Sequence, residues 1–266
     1  MESIDKRKKK WYHKRKDNFK SEKRHMKYTV LYKDSEIAVC VKPSGMLSQS
    51  DEKGEKGLKE LLEADLKRPV YLIHRLDRPV SGLMVFALES KAAAKLSSDV
   101  SDHSKFVKEY LTCVSGKPTE DSGIFKDYLF RDRFSGKTFA VSSPRKGAKD
   151  AELEYWRLDT VNHGENGEIS LIRVRLHTGR THQIRVQFAS RGYPVVGDGK
   201  YGSRIKTEGI ALHSYKLAFR HPKSGKPLEF TASIEPFSVF EPFKCTLNNT
   251  DAPDSRSQRP QPGQDG

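Results

Sequence analysis

Two stretches of the sequence hold residue types that could do chemistry, and the first covers residues 74–83. It reads His-Arg-Leu-Asp-Arg-Pro-Val-Ser-Gly-Leu and has a short apolar run on each side. Pro79 fixes its own φ and Gly82 permits unusual backbone angles, so a bend is predicted here. A carboxylate such as Asp77, held between apolar walls and arginines, is costly to bury and is often placed for catalysis. These residues alone leave it equally open that Asp77 is a structural cap of the turn.

The second stretch, residues 178–185, reads Thr-Gly-Arg-Thr-His-Gln-Ile-Arg. The alternating residues 169–177 before it predict a strand, and the apolar spacing after it predicts a helix from about residue 181 to 191. A strand end, a glycine turn and a helix start then meet, where backbone N–H groups favour anions. Arg180 and Arg185 add the charge that phosphate or carboxylate binding needs. The alternative is an ordinary helix start with solvated arginines.

The sequence lacks the motifs of several common kinds of functional site. There is no Gly-x-x-x-x-Gly-Lys-Ser/Thr phosphate loop, because Gly197-Asp198-Gly199-Lys200 has the wrong spacing and predicts a turn. There is no Gly-x-Ser-x-Gly elbow for a serine hydrolase. The histidines form no zinc pattern, since His177 and His182 are five residues apart with a glycine between them. The sequence therefore predicts neither a metal site nor these two enzyme classes.

The charge of the chain points to a polyanionic partner. The net charge is +14 over 266 residues, of which residues 1–27 carry +8 and residues 28–247 about +7. Nucleic acid is the simplest partner for such a chain, with ordinary solubility as the alternative for the body. Residues 1–27 predict a basic, disordered arm, which either holds RNA phosphates or is a solvated tail.

The remaining pattern predicts one α+β domain over residues 28–243, followed by a disordered polar tail over residues 244–266. Leucines at helical spacing predict a helix over residues 57–66, and Ser90 is the predicted N-cap of a second helix that ends near residue 100. The segments that predict strands are 28–32, 37–41, 106–114, 152–159, 169–177, 211–219 and 228–234, with further short strands within 116–150. Turn signals between neighbouring strands favour a largely antiparallel sheet.

The cysteines and the apolar content indicate the cellular setting. Cys40, Cys113 and Cys245 lack metal-ligand spacing and form no disulfide framework, which fits a reducing compartment. No apolar run approaches the length of a membrane span. The N-terminus is charged where a signal peptide would be apolar. The sequence therefore predicts a cytoplasmic protein.

The two chemical stretches together resemble one family. His74-Arg75-Leu76-Asp77 followed by Ser81-Gly82-Leu83 resembles the signature of the RluA-type pseudouridine synthases, Lys108-Glu109-Tyr110 resembles their second motif, and residues 178–186 resemble their third. Further matching segments are Lys42-Pro43-Ser44-Gly45, Gly197-Asp198, Tyr201-Gly202 and Leu212-His213. The resemblance covers residues 28–240. Each motif alone is weak, and their order and spacing make the resemblance specific.

The resemblance implies an enzyme with the pseudouridine synthase fold, in which an active-site cleft crosses a mixed, mostly antiparallel sheet flanked by helices. It would isomerise specific uridines to pseudouridine in structured ribosomal or transfer RNA, as a monomer, without cofactor or metal. Asp77 would be the essential carboxylate, which traps or stabilises C1′ of the ribose while the uracil rotates and rejoins through C5. Arg185 would pair with Asp77 and keep it ionised, with Arg180 as its rival. Tyr110 would stack on the uracil and could act in proton transfer.

The resemblance also implies residues that bind the substrate. Leu212 would pack in the pocket, and His74 and Arg180 would contact the RNA. Arg75 would fill the gap left by a flipped uridine or contact a phosphate. Two other functions stay open, which are an RNA-binding protein on the same fold that has lost catalysis and a carboxylate glycosidase. Free uracil or free sugar as the product would identify the glycosidase.

Three residues depart from the pattern of the family. Val80 stands where threonine is usual, Gln187 where histidine is common and Lys200 where leucine is common. None of them is a predicted catalytic residue, so the resemblance still implies activity, while contacts to the substrate could differ. Residues 1–27 are too short for the small N-terminal RNA-binding domain of many members, so we expect this chain to lack it, and the basic arm could substitute for it.

Overall fold

The computed structural model describes residues 28–102, 104–234 and 238–250. Its strands are β1 (Thr29–Lys33), β2 (Ile37–Lys42), β3 (Tyr71–Leu72), β4 (Ser81–Ala87), β5 (Phe106–Ser115), β6 (Ser122–Arg131), β7 (Thr138–Val141), β8 (Ala148–Asn162), β9 (Glu168–Leu176), β10 (Leu212–Arg220) and β11 (Pro227–Thr231). Its helices are α1 (Leu58–Leu66), α2 (Ser90–Val100), α3 (Gln183–Ala189) and α4 (Lys244–Thr250). Within these ranges, no helix is long and apolar enough to cross a membrane. The predicted arm, residues 1–27, lies outside the described residues.

One sheet contains these eleven strands. Nine of them follow the order β1-β2-β4-β10-β5-β9-β8-β6-β7, while β3 pairs with β4 and β11 pairs with β10. The pair β4–β10 is parallel, and the other pairs are antiparallel. The predicted α+β fold with a mixed, mostly antiparallel sheet is therefore confirmed.

The sheet carries an apolar core on each face. In β4, Phe86 belongs to one cluster of buried side chains and Val85 to another. Successive side chains of a strand point to opposite faces, so the two clusters lie on opposite sides of the sheet. Helices α1 and α3 pack on the first face through Leu62 and Phe188, whereas α2 packs on the second face through Leu96. Because helices pack on both faces of the sheet, β4 is buried along its whole length.

Gly82 is required where β4 meets β10. Its φ is +111°, and a Cβ atom here would lie 2.3 Å from the backbone oxygen of Ser214. Gly82→Ala should therefore lower the free energy of unfolding by about 3 kcal/mol or more, through backbone strain and overpacking together. Gly164→Ala is the control, because Gly164 has φ +63° with open space around a Cβ, and it should cost only ~1 kcal/mol. Urea unfolding measures both variants, and equal losses would contradict the packing argument.

Two helix starts differ from the predicted ones. Helix α3 covers Gln183–Ala189 rather than residues 181 to 191, because His182 has φ +56° and cannot belong to a right-handed helix. Ser90 is the first residue of α2, and Glu89 occupies the N-cap position. Apolar periodicity continues through the turns that flank a helix, so it cannot mark these boundaries to the residue.

The predicted disordered tail begins with a helix. Helix α4, Lys244–Thr250, lies within the segment assigned to the tail. Leu247 packs against a third apolar cluster beside the sheet, and Thr246 Oγ1 donates a hydrogen bond to Asp159 Oδ2 at 2.7 Å. The prediction of disorder is therefore wrong for these seven residues, because contacts of Leu247 and Thr246 hold a segment whose composition is polar. Residues 251–266 lie outside the described residues.

Candidate active site

A cleft of about 1020 Å³ opens on the first face of the sheet. Its walls come from the loop between β3 and β4, from the middle of β5, from the turn between β9 and α3, and from the start of β10. The seven residues predicted for the site all line this cleft, namely His74, Arg75, Asp77, Tyr110, Arg180, Arg185 and Leu212. Segments far apart in the sequence therefore meet in one place.

The loop that carries Asp77 is fixed by the end of β2 and by the segment that follows it. Lys42 is fully buried, and its Nζ atom donates hydrogen bonds to three backbone carbonyls, including that of Arg78 at 3.2 Å. On the other side of Asp77, Ser48 Oγ donates to the carbonyl of Leu76 at 2.7 Å and accepts from the N–H of Leu76 at 3.1 Å. The backbone is thus held on both sides of the carboxylate.

Asp77 meets Arg185, and Arg185 is itself held by Asp198. Arg185 donates from Nη1 to Asp77 Oδ2 at 2.9 Å, and from Nε and Nη2 to the two oxygens of Asp198 at 2.6 and 2.9 Å. Burial opposes the charge of Arg185, but the hydrogen bonds and attraction of Asp198 and then Asp77 outweigh it and raise its pKa. The carboxylate of Asp77 accepts no backbone N–H among the described residues, so it does not cap the turn.

A chain of hydrogen bonds orients His182 beside Asp77. The backbone N–H of Thr138 donates to the hydroxyl of Tyr201 at 2.9 Å, and that hydroxyl lies 2.7 Å from His182 Nδ1. Burial lowers the pKa of His182 to about 4, so the ring is neutral at pH 7. With Tyr201 donating to Nδ1, the proton of the imidazole is on Nε2, which lies 3.7 Å from Asp77 Oδ2. The left-handed backbone of His182 is a strain of the kind found at functional sites.

Tyr110 and Leu212 form the apolar floor of the cleft. Both are buried and belong to the core cluster on the first face of the sheet. Burial, and then the negative charge of Asp77, raise the pKa of Tyr110 well above its ordinary value. The hydroxyl of Tyr110 therefore keeps its proton at pH 7.

The other predicted residues occupy the walls of the cleft. Arg180 donates from Nε to the carbonyl of Asp150 at 2.7 Å, so of the two rival arginines it is Arg185 that contacts Asp77. Arg75 is exposed at the cleft. His74 Nε2 accepts from the N–H of Val85 at 3.2 Å, and burial, followed by the charge of a nearby lysine, lowers the pKa of His74 to about 3.

The three departures from the family pattern fall in different surroundings. Val80 is buried in the same apolar cluster as the cleft floor. Gln187 is buried in α3 and donates from Nε2 to Asp127 Oδ2 at 2.7 Å, away from the cleft lining. Lys200 lines the cleft, and its Nζ donates to the carbonyl of Gly136 at 2.7 Å. Of the three, Lys200 is the departure that adds a charge to the site.

Sequence reasoning missed four residues of the cleft region. Asp198, Tyr201, His182 and Lys108 all belong to segments that carried the family resemblance, and that resemblance was the available signal. The sequence Gly197-Asp198 predicted a turn, and the structure has a turn there. The carboxylate of Asp198, however, points inward to Arg185, and this side chain is only 1% exposed. No pattern in the sequence reports such a contact, because it forms between separate turns.

The lining of the cleft is strongly cationic. It contains seven arginine and lysine side chains and a single carboxylate, that of Asp77. Of the cations, Arg78 is paired with Glu55, and Arg185 with Asp198. The surplus of positive charge suits a polyanion that threads through the cleft. Within the described ranges, no group of three or more His, Cys, Asp or Glu side chains is arranged to hold a metal ion.

Comparison with known proteins agrees with this geometry. The model of the RNA pseudouridylate synthase family matches residues 36–190. An RNA pseudouridine synthase of Aquifex aeolicus is 35% identical over 221 residues, which cover 76% of this chain and 67% of the relative. The tRNA pseudouridine synthase C of Haemophilus ducreyi is 33% identical over 231 residues, covering 79% and 92%.

Solved structures share the fold. Human RNA pseudouridylate synthase domain containing 1 superposes with a TM-score of 0.65 at 22% identity, covering 79% of this chain and 84% of that chain. Human RNA pseudouridylate synthase domain containing 4 superposes with a TM-score of 0.64 at 20% identity, covering 83% and 93%. The chain therefore has the pseudouridine synthase fold.

Proposed function

This chain belongs to the RNA pseudouridylate synthase family and is an RNA pseudouridine synthase, and we propose that Asp77 is the carboxylate on which its reaction depends. The observation that carries the proposal is the position of Asp77. It is the single acidic side chain in a cationic cleft, 27% exposed and bonded to a buried arginine. A carboxylate held in this way can face an electron-poor ribose without being lost to solvent.

The reaction is an isomerisation that exchanges one bond for another. The N1–C1′ bond breaks and its electron pair leaves with the uracil, which turns and forms a bond from C5 to C1′. The proton on C5 is then lost and N1 ends protonated, so atoms and electrons balance without an oxidant or reductant. Asp77 supplies negative charge or a covalent bond to the ribose while the base is detached. A redox-neutral rearrangement of this kind needs no cofactor.

Arg185 and His182 set the position of the Asp77 carboxylate. Arg185 is fixed by two bonds to Asp198, so the third bond, to Asp77, costs little further ordering. The Nε2–H of His182 faces the same oxygen of Asp77. These donors stabilise the carboxylate each time that it is released from the sugar. The arrangement therefore serves both an ester intermediate and a glycal.

Tyr110 acts as the floor for the uracil and as a proton donor. Its ring is large enough to stack on the base, and its hydroxyl stays protonated because of burial and the charge of Asp77. The same hydroxyl can take part in moving the proton from C5: it gives its own proton to the base and accepts the proton of C5, so that it ends protonated as it began.

Tyr110→Phe should separate stacking from proton transfer. The phenyl ring keeps the contact with the base, so the affinity for RNA should stay within about twofold. Turnover should fall by roughly 10²- to 10⁴-fold, the range for one general acid–base group. Single-turnover release of tritium from C5-labelled uridine in RNA measures the rate, and filter binding measures affinity. Wild-type turnover in Tyr110→Phe would leave Tyr110 only its stacking role.

Transfer RNA is the first substrate class to test. The relatives called tRNA pseudouridine synthase C support it, and ribosomal RNA is the alternative. Pseudouridines should be mapped in total RNA from cells with and without the gene. Loss of a small number of defined sites supports the proposal, whereas an unchanged map would favour an RNA-binding protein that does not catalyse. Free uracil as the product in vitro would favour a glycosidase.

A further inference from the structure

Lys108 is a buried cation that has no partner among the described residues. It lies on β5 two residues before Tyr110, it lines the cleft, and it is 5% exposed. Its neighbour Glu109 points to the other side of the strand and pairs with Arg175 at 2.6 Å. No carboxylate or carbonyl in the described ranges accepts a hydrogen bond from Lys108, and burial lowers its pKa. A buried ammonium group without a partner lowers the stability of the fold, so its presence indicates a role in binding rather than in stability.

The surroundings of Lys108 leave one side of it open to the cleft. Gly179 faces it, and a Cβ atom at Gly179 would lie 3.5 Å from Lys108 Nζ. The φ of Gly179 is outside the left-handed region, so the backbone does not require glycine there. His74, which also lines the cleft, has a buried Nδ1 atom with no hydrogen-bond partner. Since His74 Nε2 accepts a hydrogen bond, Nδ1 carries the proton of the neutral ring.

The Lys108 ammonium, which has no acceptor in the described ranges and borders the open cleft, specifies a ligand that accepts hydrogen bonds. The ligand carries negative charge, because Lys108 has no other counterion among the described residues. In an RNA substrate, the matching group is the phosphodiester. We propose that Lys108 anchors a subsite for one phosphate of the RNA strand, on the cleft wall formed by His74, Lys108 and Gly179. This inference rests on the proposed function, which places RNA in the cleft.

The test compares three lysine variants in the full-length chain. Lys108→Met removes the charge, Lys108→Arg keeps it, and Lys223→Met is the control, because Lys223 is 71% exposed at the turn after β10 and pairs with Glu36. Binding of unfractionated transfer RNA is measured between low and moderate salt. Lys108→Met should weaken binding about tenfold and reduce the slope of log K against log[salt] by roughly 0.7 to 0.9, the value for one phosphate. Lys108→Arg should retain most of the affinity, and Lys223→Met should bind as wild type does.

Thermal melting distinguishes this subsite from a structural role. Removal of an unpaired buried cation should leave the melting temperature of Lys108→Met unchanged or higher. A lower melting temperature with unchanged RNA affinity would overturn the proposal. Weaker binding with an unchanged salt slope would also overturn it and would favour a contact to a neutral group, such as a uracil carbonyl.

The same measurements keep the two proposals apart. Binding does not depend on turnover, so an effect of Lys108→Met on the salt slope would stand even if no pseudouridine were formed. In the reverse case, full pseudouridine formation with an unchanged salt slope would remove the subsite and leave the proposed function intact.

Discussion

We expect that replacing Asp77 by asparagine abolishes the formation of pseudouridine and leaves RNA binding within about twofold of wild type. The amide is nearly the same size as the carboxylate and can still accept a hydrogen bond from Arg185, so the cleft keeps its shape. It has no negative charge for C1′ and is a poor nucleophile, so the rate should fall by about 10⁴-fold or more. Release of tritium from C5-labelled uridine in RNA measures the rate, and filter binding measures the affinity.

The control for this prediction is the same substitution outside the cleft. Asp102 lies on an exposed turn and pairs with Lys105, so Asp102→Asn should keep wild-type turnover. If Asp77→Asn also retained wild-type turnover, Asp77 would not be the essential carboxylate. If it lost RNA binding together with turnover, a structural role in shaping the cleft would explain the result.

Arg185→Met should remove both activity and a large part of the stability. The substitution leaves Asp198, which is 1% exposed, without its bidentate partner. Stranding a buried charge typically costs about 3 to 5 kcal/mol, and Asp77 loses its positioning contact at the same time. Urea unfolding measures the free energy, and tritium release measures the rate. Arg191→Met is the matched control, because Arg191 pairs with Asp127 outside the cleft, and it should stay active.

A double variant separates the two effects of Arg185. Asp198→Asn in the Arg185→Met background removes the stranded charge, so a large part of the lost stability should return. Activity should not return, because Asp77 still has no arginine. If Arg185→Met unfolded at the wild-type urea concentration, the pair Arg185–Asp198 would have no structural role. If the double variant recovered full turnover, the contact between Arg185 and Asp77 would be dispensable.

The sequence predicted the sheet better than it predicted the ends of the helices. The second half of β9 alternates apolar residues with Arg173 and Arg175, and that period is visible without any tertiary information. The start of α3 depends on the left-handed backbone of His182, which the surrounding structure imposes. Helix α4 depends on where Leu247 and Thr246 make contact. Such contacts form between segments that are far apart in the sequence, so no local sequence pattern predicts them.

The choice between Arg180 and Arg185 shows the same limit within the site. Arg180 lies in the turn before α3, and Arg185 lies in α3 close to its start. Either arginine could pair with a carboxylate, so residue type alone does not decide between them. The family resemblance favoured Arg185, and in the structure Asp198 draws the guanidinium of Arg185 inward, while Arg180 bonds to the carbonyl of Asp150. The decisive partner comes from a separate turn after α3. The physical reason for the choice is therefore visible only in three dimensions.

The position of β10 in the sheet sets the order in which the site can assemble during synthesis. β10 lies between β4 and β5, although it is made more than ninety residues after β5 has been completed. Before β10 emerges, β1 to β4 and β5 to β9 can form only two separate half-sheets. The first half-sheet contains β3 and β4, the strands on either side of Asp77. The second contains Tyr110 on β5 and ends with β9, the strand that precedes Arg185. Long-range pairing of this kind is slow, because the entropy of closing the chain is lost before the contacts form. A nascent chain is therefore without a complete cleft until residue 220 has left the ribosome, and its exposed strand edges must be protected from mispairing until then.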